Sequence, residues 1–153
     1  MIYLNYQTYK TLKLLINWGV KMKVLKLTLE NVEKIQNETD NKLVKRVCRY
    51  IISNWEYYDD KKDIFLNVMN NGCESGACRD LIYYGQTKRF YEEYKHEINE
   101  LLYKTDYANL ADLFGGDWDV HDPLALDEDN QNLLAWFGFE ETITNIAHKF
   151  GIE

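Results

Sequence analysis

The chain has 153 residues, of which 46% are hydrophobic and 28% charged, and it carries a net charge of −7. One proline and eight glycines place it outside the disordered and collagen-like classes, and its length suffices for one domain that needs neither a metal nor a disulfide to fold. No apolar run approaches the roughly 18 residues that a membrane span requires, so we expect no contact with a membrane.

The three cysteines, Cys48, Cys73 and Cys78, are odd in number and lack the spacing of a disulfide framework. This usage is typical of a reducing compartment, in which the three side chains remain thiols. We therefore expect the protein to reside in the cytoplasm.

Charge is distributed unevenly along the chain. Residues 1–29 contain five lysines and no acidic residue, so the remaining residues carry −12. A body of that sign repels nucleic-acid phosphate and suits a basic protein partner, although many carboxylates serve only to keep a surface solvated. We expect a basic protein as the partner and no direct binding of nucleic acid.

The N-terminal segment, residues 1–22, shows weak helical spacing and no capping residue. We expect it to be a poorly packed leader or an upstream reading of the start codon, and we expect residues 23–153 to form a single helical domain. A short strand is an alternative for residues 23–29, but Thr28 before LENVEKI favours a helix over residues 29–37.

The clearest amphipathic pattern follows. Thr39 and Asp40 offer caps, and the apolar residues that recur at helical spacing are Leu43, Val44, Val47, Cys48, Ile51, Ile52 and Trp55. The opposite face carries four cations, which are Lys42, Lys45, Arg46 and Arg49. Because the rest of the domain is acidic, we expect these cations to pair with carboxylates rather than to bind nucleic acid.

Helical spacing recurs further along the chain. One helix holds Ile64, Phe65, Val68 and Met69 and ends at Gly72; a short one holds Ala77, Cys78, Leu81 and Ile82; a long one runs from Thr87 to about Lys104 with Phe90, Tyr94, Ile98, Leu101 and Leu102 inward; another short one holds Leu110, Leu113 and Phe114.

The C-terminal part combines an irregular segment with a helix. Residues 115–129 are rich in aspartate and glycine, so we expect them to be irregular. The final helix, over residues 132–150, is apolar over more than half its girth near its start, which predicts that it is the central, buried helix. The predicted fold class is all-α, a single-domain compact bundle of about five to seven helices.

Two cysteines and two histidines are the candidates for thiol or metal chemistry. Cys73 and Cys78 lie five residues apart, and only His96 and His121 remain as partners for zinc, which usually has four ligands in closer pairs. Cys78 in a first helical turn suits a reactive thiol, but no neighbouring base accompanies it. We favour buried apolar roles for both cysteines and expect no metal.

Carboxylates offer two further sites. Asp117, Asp119 and His121 alternate as calcium ligands do, but the loop lacks the glycine that an EF-hand turn needs. Glu140 falls on the apolar face of the last helix, where we expect a structural cation such as Arg79 as its partner. The enzyme motifs with a known mechanism, such as a Walker loop, HExxH, GxSxG or CxxC, do not occur. We expect no catalytic residue and no cofactor.

The residues we expect to contact a partner are acidic and aromatic. The acidic candidates are Asp117, Asp119, Asp122, Asp127, Glu128 and Asp129, and the aromatic candidates are Tyr83, Tyr84 and Tyr91. Tyrosine suits such a surface because it presents an apolar ring with a polar tip.

Several motifs occur in a fixed order: GCESG at residues 72–76, LIYY at 81–84, T-x-x-FY at 87–91, DPL at 122–124 and NLLAWFGFEET at 132–142. In these the chain resembles a family of small proteins encoded by phages and mobile elements of gut and Gram-positive bacteria. The resemblance covers residues 60–150 and implies an accessory gene product of a bacterial host cell.

Accessory phage proteins often bind and block host machinery, so the resemblance implies a non-catalytic binder. We expect an inhibitor of a host defence system, CRISPR-type or another nuclease, that acts by binding a basic protein surface. The alternative is a small enzyme or a thiol-dependent accessory factor that uses Cys73 or Cys78.

Overall fold

The computed structural model of the protein describes residues 24–71, 87–104 and 128–153. Over these residues the elements are α1 (Leu29–Glu38), α2 (Lys42–Ser53), a 3-10 turn (Trp55–Tyr57), α3 (Lys62–Asn71), α4 (Thr87–Tyr103) and α5 (Glu128–Lys149). The described residues contain helices and no strand, so the all-α prediction is confirmed. The leader, Gly72 and the short helices predicted near residues 80 and 112 lie outside the described residues.

Helix α1 begins where its capping residue predicts. The Thr28 side-chain oxygen accepts a hydrogen bond from the Asn31 backbone N–H at 3.1 Å, which satisfies one of the free amides of the first turn. The residues before it are not paired as a strand. Instead the Leu25 N–H donates to the Lys149 carbonyl at 2.9 Å and ties this segment to the end of α5.

The start of α2 corrects the predicted cap. Asn41, not Thr39 or Asp40, is the N-cap, because its Oδ1 accepts from the backbone N–H of Leu43 at 2.9 Å and of Val44 at 3.0 Å. The Thr39 hydroxyl oxygen instead accepts from the Asn41 N–H at 3.1 Å, so it supports the capping residue.

The predicted second helix also ends earlier than Trp55, which lies in the 3-10 turn. Lys61 holds this turn: its ammonium donates to the carbonyls of Trp55 at 2.5 Å and Tyr58 at 2.6 Å and lies 5.6 Å from the centre of the Trp55 ring. A cation over an aromatic face adds an attraction to the two charge-assisted hydrogen bonds. One lysine therefore stabilises the turn between α2 and α3.

Helix α5 is the centre of the bundle, as its wide apolar face predicted. It packs against α2, α3 and α4, and every residue from 134 to 139 is buried. The Phe139 ring lies near two other rings. Its centre is 5.2 Å from that of Tyr50 in α2 and 6.4 Å from that of Phe90 in α4. Edge and tilted ring pairs of this kind join three helices at one point.

The beginning of α5 is a correction to the predicted irregular segment. Glu128 and Asp129 form part of the helix rather than of a loop. Acidic residues are favoured in a first helical turn because the positive end of the helix dipole lies there. The rest of residues 115–129, which we call the acidic segment, lies outside the described ranges.

Helix α4 lays one face on α5. Phe90, Tyr94, Ile98 and Leu102 are buried as predicted, whereas Leu101 is only partly buried. Tyr91 is a correction. We expected it on a contact surface, but it is 2% exposed, because it lies beside Phe90 on the buried side of the helix.

The end of α5 is closed by a glycine in the left-handed region. Gly151 has φ 72°, and the Ile152 N–H donates to the Ala147 carbonyl at 3.0 Å, the pattern of a Schellman motif. Gly151 also lies against Val24, since a β-carbon there would be 2.9 Å from a Val24 methyl group. None of the helices in the described ranges combines the length and apolar character that crossing a membrane requires.

Candidate anion-binding site

The four cations of α2 lie on one face of the helix. Their spacing of i, i+3, i+4 and i+7 follows the helical period, so the side chains project from one side over two turns. The opposite side of α2 carries the buried residues Leu43, Val47, Cys48 and Ile51. The amphipathic pattern that builds the core therefore also gathers Lys42, Lys45, Arg46 and Arg49.

These cations form one wall of a groove, which we call the basic groove. Gln36 and Asn37 at the end of α1 and Glu93 and Tyr94 of α4 complete its lining, and its volume is about 410 Å³. The Gln36 side-chain amide donates to the Lys45 carbonyl at 3.4 Å and so links α1 to α2. Three helices thus position the polar groups of the groove.

The described residues do not supply the carboxylate partners that we expected for these cations. The ion pairs among them join Lys34 to Glu38, with 4.0 Å between Nζ and Oε1, and His96 to Glu100, with 3.2 Å between Nε2 and Oε1. Neither pair includes a cation of α2. Glu93 is the one acidic residue in the lining, and it lies beyond ion-pair distance of the four.

Arg46 is the least exposed of the four cations. Burial lowers the pKa of its guanidinium, the positive charge of Arg49 lowers it further, and Tyr94 and Glu93 offset part of the effect. Both causes disfavour the charged form of the side chain. The fold therefore holds two guanidinium groups close together, one of them half-buried, in a groove whose described lining contains a single carboxylate.

Tyr94 supplies the aromatic side of the groove. Burial raises the pKa of its phenol, as do the neighbouring charge of Glu93 and the hydrogen bond that the hydroxyl donates to that carboxylate, whereas Arg46 and Arg49 lower it. The ring itself packs inward against Phe90, with 4.8 Å between ring centres. Only the polar end of Tyr94 is therefore available to a ligand.

The described residues contain only some of the candidates for thiol or metal chemistry. Cys48 is buried, and burial raises the pKa of its thiol to about 11, so the group stays protonated at neutral pH. His96 is exposed on α4 beside Glu100. Within the described ranges no three histidine, cysteine or acidic residues are gathered as a metal site would require. Cys73, Cys78 and His121 lie outside those ranges.

Glu140 has the Trp136 indole beside it. The side chain is half-buried on α5, and burial raises the pKa of its carboxyl, while a hydrogen bond from the Trp136 indole lowers it and the charge of Glu141 raises it. Arg79, the partner we expected, lies outside the described residues. The described part of the chain thus pairs this carboxylate with a neutral donor.

The predicted contact residues are not brought together in the described structure. Tyr91 is in the core, and Glu128 and Asp129 belong to the first turn of α5. The remaining candidates, Asp117, Asp119, Asp122, Asp127, Tyr83 and Tyr84, lie outside the described residues.

The basic groove was only half visible in the sequence. The four cations stood out as a patch, but the contributions of Gln36, Asn37 and Glu93 depend on how α1 and α4 pack beside α2. The periodicity of apolar residues within one helix does not indicate which residues of neighbouring helices will lie beside it. Tyr94 was predicted to face inward, which its ring does, and only the structure shows that its hydroxyl reaches the groove.

Comparison with known proteins identifies a family and no function. No curated protein and no solved structure matches the chain. A family model described as "Domain of unknown function (DUF7222)" matches residues 32–152, which include all the helices described above except the first residues of α1. Because that match covers most of its length, the chain belongs to the DUF7222 family.

Proposed function

We propose that this chain is a non-catalytic interaction protein that binds an anionic partner through the basic groove. The observation that supports the proposal is the set of four cations on α2, which have no ion-pair partner among the described residues. Cations that the helical period gathers on one face of a helix attract an opposite charge. An anion in the groove would also offset the repulsion between Arg46 and Arg49.

A comparison of captured partners tests this proposal. Lys45→Gln with Arg49→Gln removes two exposed charges from the groove, and Lys62→Gln with Lys88→Gln removes two exposed charges elsewhere, so both variants have the same net charge. We expect a stoichiometric partner from bacterial lysate to bind the unmodified chain and the Lys62/Lys88 variant, and to be lost from the Lys45/Arg49 variant. Equal capture by all three proteins would contradict the proposal.

A second candidate is a basic partner that binds the acidic segment. It is favoured by the excess of 25 acidic over 18 basic residues and by the five aspartates between residues 117 and 129. This is the surface for which we propose inhibition of a bacterial defence nuclease, in the cytoplasm of a host cell that carries the gene on a phage or mobile element. The resemblance to phage-encoded proteins supports that setting.

A thiol-dependent activity remains the alternative from another class. It would use Cys73 or Cys78, and replacing both with alanine distinguishes it from either binding function. We expect the double variant to retain its partner. Loss of a cellular activity of the protein with unchanged capture of the partner would favour the thiol-dependent function.

A further inference from the structure

We infer that the ligand of the basic groove is an acidic segment of another protein, with carboxylates spaced along one helical face. This inference rests on the function proposed above, because it names the class of partner that the groove binds. Three features of the groove support it: its openness to solvent between polar and charged residues, its lack of an accessible aromatic ring, and the spacing of its cations.

The lining of the groove does not suit a small metabolite. Such ligands are usually enclosed by mainly apolar and aromatic walls with only a few polar groups. Here the lining residues are four cations, two amides, one carboxylate and one tyrosine, and the groove is open to solvent. Five of the eight residues, Asn37, Lys42, Lys45, Arg49 and Glu93, are exposed. A ligand in this groove keeps one side in water, as a segment of a larger molecule does.

The groove also lacks what binds a single nucleic-acid strand. Such strands combine phosphate contacts with stacking of bases on accessible aromatic rings. Tyr94 is the one aromatic residue in the lining, and it is 4% exposed with its ring against Phe90. A base entering the groove would find no free ring face.

Charge beyond the groove separates a polyanion from a short acidic segment. The four cations contribute +4 to a chain of net charge −7, so the other residues sum to −11. A nucleic acid longer than the groove would place its further phosphates beyond the screening distance of roughly 8–10 Å from these cations, next to a chain whose other charges sum to −11, whereas a segment about as long as the groove would remain near the cations. The charge distribution therefore favours a compact anionic segment.

The spacing of the cations matches an acidic helix. Lys42 and Arg49 are seven residues apart, which corresponds to about 10 Å along the helix axis. Carboxylates at i, i+3, i+4 and i+7 of a partner helix have the same spacing, so each can reach a cation of α2. Arg46, partly withdrawn from water, is the position where a carboxylate gains most from a charge-assisted bond. The Asn37 amide remains for polar groups at the edge of the segment.

The test uses purified full-length chain and fluorescently labelled probes in an anisotropy titration at about 50 mM salt. The first probe is a helical peptide of about 15 residues with four glutamates at that spacing in a neutral host, and its control carries glutamine at the same four positions. The other probes are a single strand of about 12 nucleotides and the corresponding duplex. We expect the glutamate peptide to bind, and the glutamine peptide and both nucleic acids to bind at least about tenfold more weakly.

Variants of the chain locate the binding. Loss of two exposed ion pairs predicts affinity for the glutamate peptide roughly tenfold weaker in the Lys45→Gln, Arg49→Gln variant. The Lys62→Gln, Lys88→Gln variant, with the same net charge, should bind like the unmodified chain. Nucleic acid that binds more tightly than the peptide, and is lost with Lys45 and Arg49, would overturn this inference and leave the proposed function standing. Binding of no probe, or equal binding by both variants, would overturn both.

Discussion

Single residues in this protein matter through what lies next to them, and Gly138 is the clearest case. It sits in α5 where that helix meets α4, and a β-carbon there would lie 2.6 Å from Cγ1 of Ile98, which is itself 0% exposed. In an open helix Gly→Ala stabilises by about 1 kcal/mol, because alanine has the higher helix propensity. Here overpacking should reverse the sign.

We expect Gly138→Ala to lower the free energy of unfolding by about 1–3 kcal/mol in a denaturant titration. Ile98→Ala in the same chain supplies the control, since it removes the atoms that collide. The double variant should lose less than the sum of the two single losses, because the second change relieves the first. A stabilised Gly138→Ala variant would show that the two helices can move apart at little cost.

Glu140 gives a residue-scale prediction that depends on pH. Burial raises its pKa in the folded protein above the ordinary 4.5, with Trp136 acting in the opposite direction. The folded chain thus holds its proton to higher pH than the unfolded chain. This contribution to stability is fully present below pH 4.5 and is lost as the pH rises through the folded value.

Glu140→Gln is neutral at every pH and can still accept from the Trp136 indole. We therefore expect its melting temperature to exceed that of the unmodified chain at neutral pH, and the difference to vanish as the pH falls below 4.5, where both side chains are neutral. Melting curves between about pH 4 and about pH 8 measure this. Glu33→Gln, at an exposed position of α1, should show no such trend; a Glu140→Gln variant less stable at neutral pH would mean that a cation accompanies the carboxylate.

At the scale of elements, the cap of α2 distinguishes Asn41 from Thr39 and Asp40, the two residues we predicted as caps. Asn41 accepts two backbone hydrogen bonds in the first turn, whereas Asp40 makes none of the capping contacts. Replacing an N-cap with alanine typically costs about 1 kcal/mol, and an exposed residue outside such a contact stays within about 0.5 kcal/mol. Asn41→Ala should therefore destabilise the chain in a urea titration and Asp40→Ala should not. If Asp40→Ala destabilised the chain and Asn41→Ala did not, Asp40 would be the capping residue.

Helix α2 also shows which features of the fold can be predicted from the sequence. The apolar period of α2 and the breadth of the apolar face of α5 predicted which helices exist and which is central, because burial follows periodicity within one segment. The run Thr39, Asp40, Asn41 contains three good caps in a row, and which of them closes the turn depends on the backbone path out of α1. The prediction for Tyr91 was wrong for a related reason. The buried face of α4 is wide enough to include a residue next to Phe90, which strict i, i+3, i+4 spacing would assign to the surface.

The basic groove lies beyond such reasoning altogether. The cations of α2 are visible in the sequence, but the distances from Arg46 to Glu93 and from Gln36 to Lys45 depend on how α1 and α4 pack on either side. We expected pairing from the acidic composition of the chain as a whole. Composition reports how many carboxylates exist and not where they lie, so a basic patch without an ion pair among the described residues was not predicted.

At the scale of the whole molecule, the way in which the association rate responds to the net charge of the chain reveals the sign of the partner's charge. Neutralising the acidic segment with Asp127→Asn, Glu128→Gln and Asp129→Asn removes three negative charges and changes the net charge from −7 to −4, while Lys45→Gln with Arg49→Gln removes two positive charges and changes it to −9. Rates of association respond to such long-range charge more than rates of dissociation do. If the partner is acidic, the first variant should associate faster and the second more slowly than the unmodified chain.

Stopped-flow mixing with the captured partner measures both association rates. The differences between the variants should shrink at high salt, because the screening length falls to about 3 Å at 1 M. The reverse order, with the neutralised acidic segment slower, would assign the interaction to a basic partner and to the second candidate function.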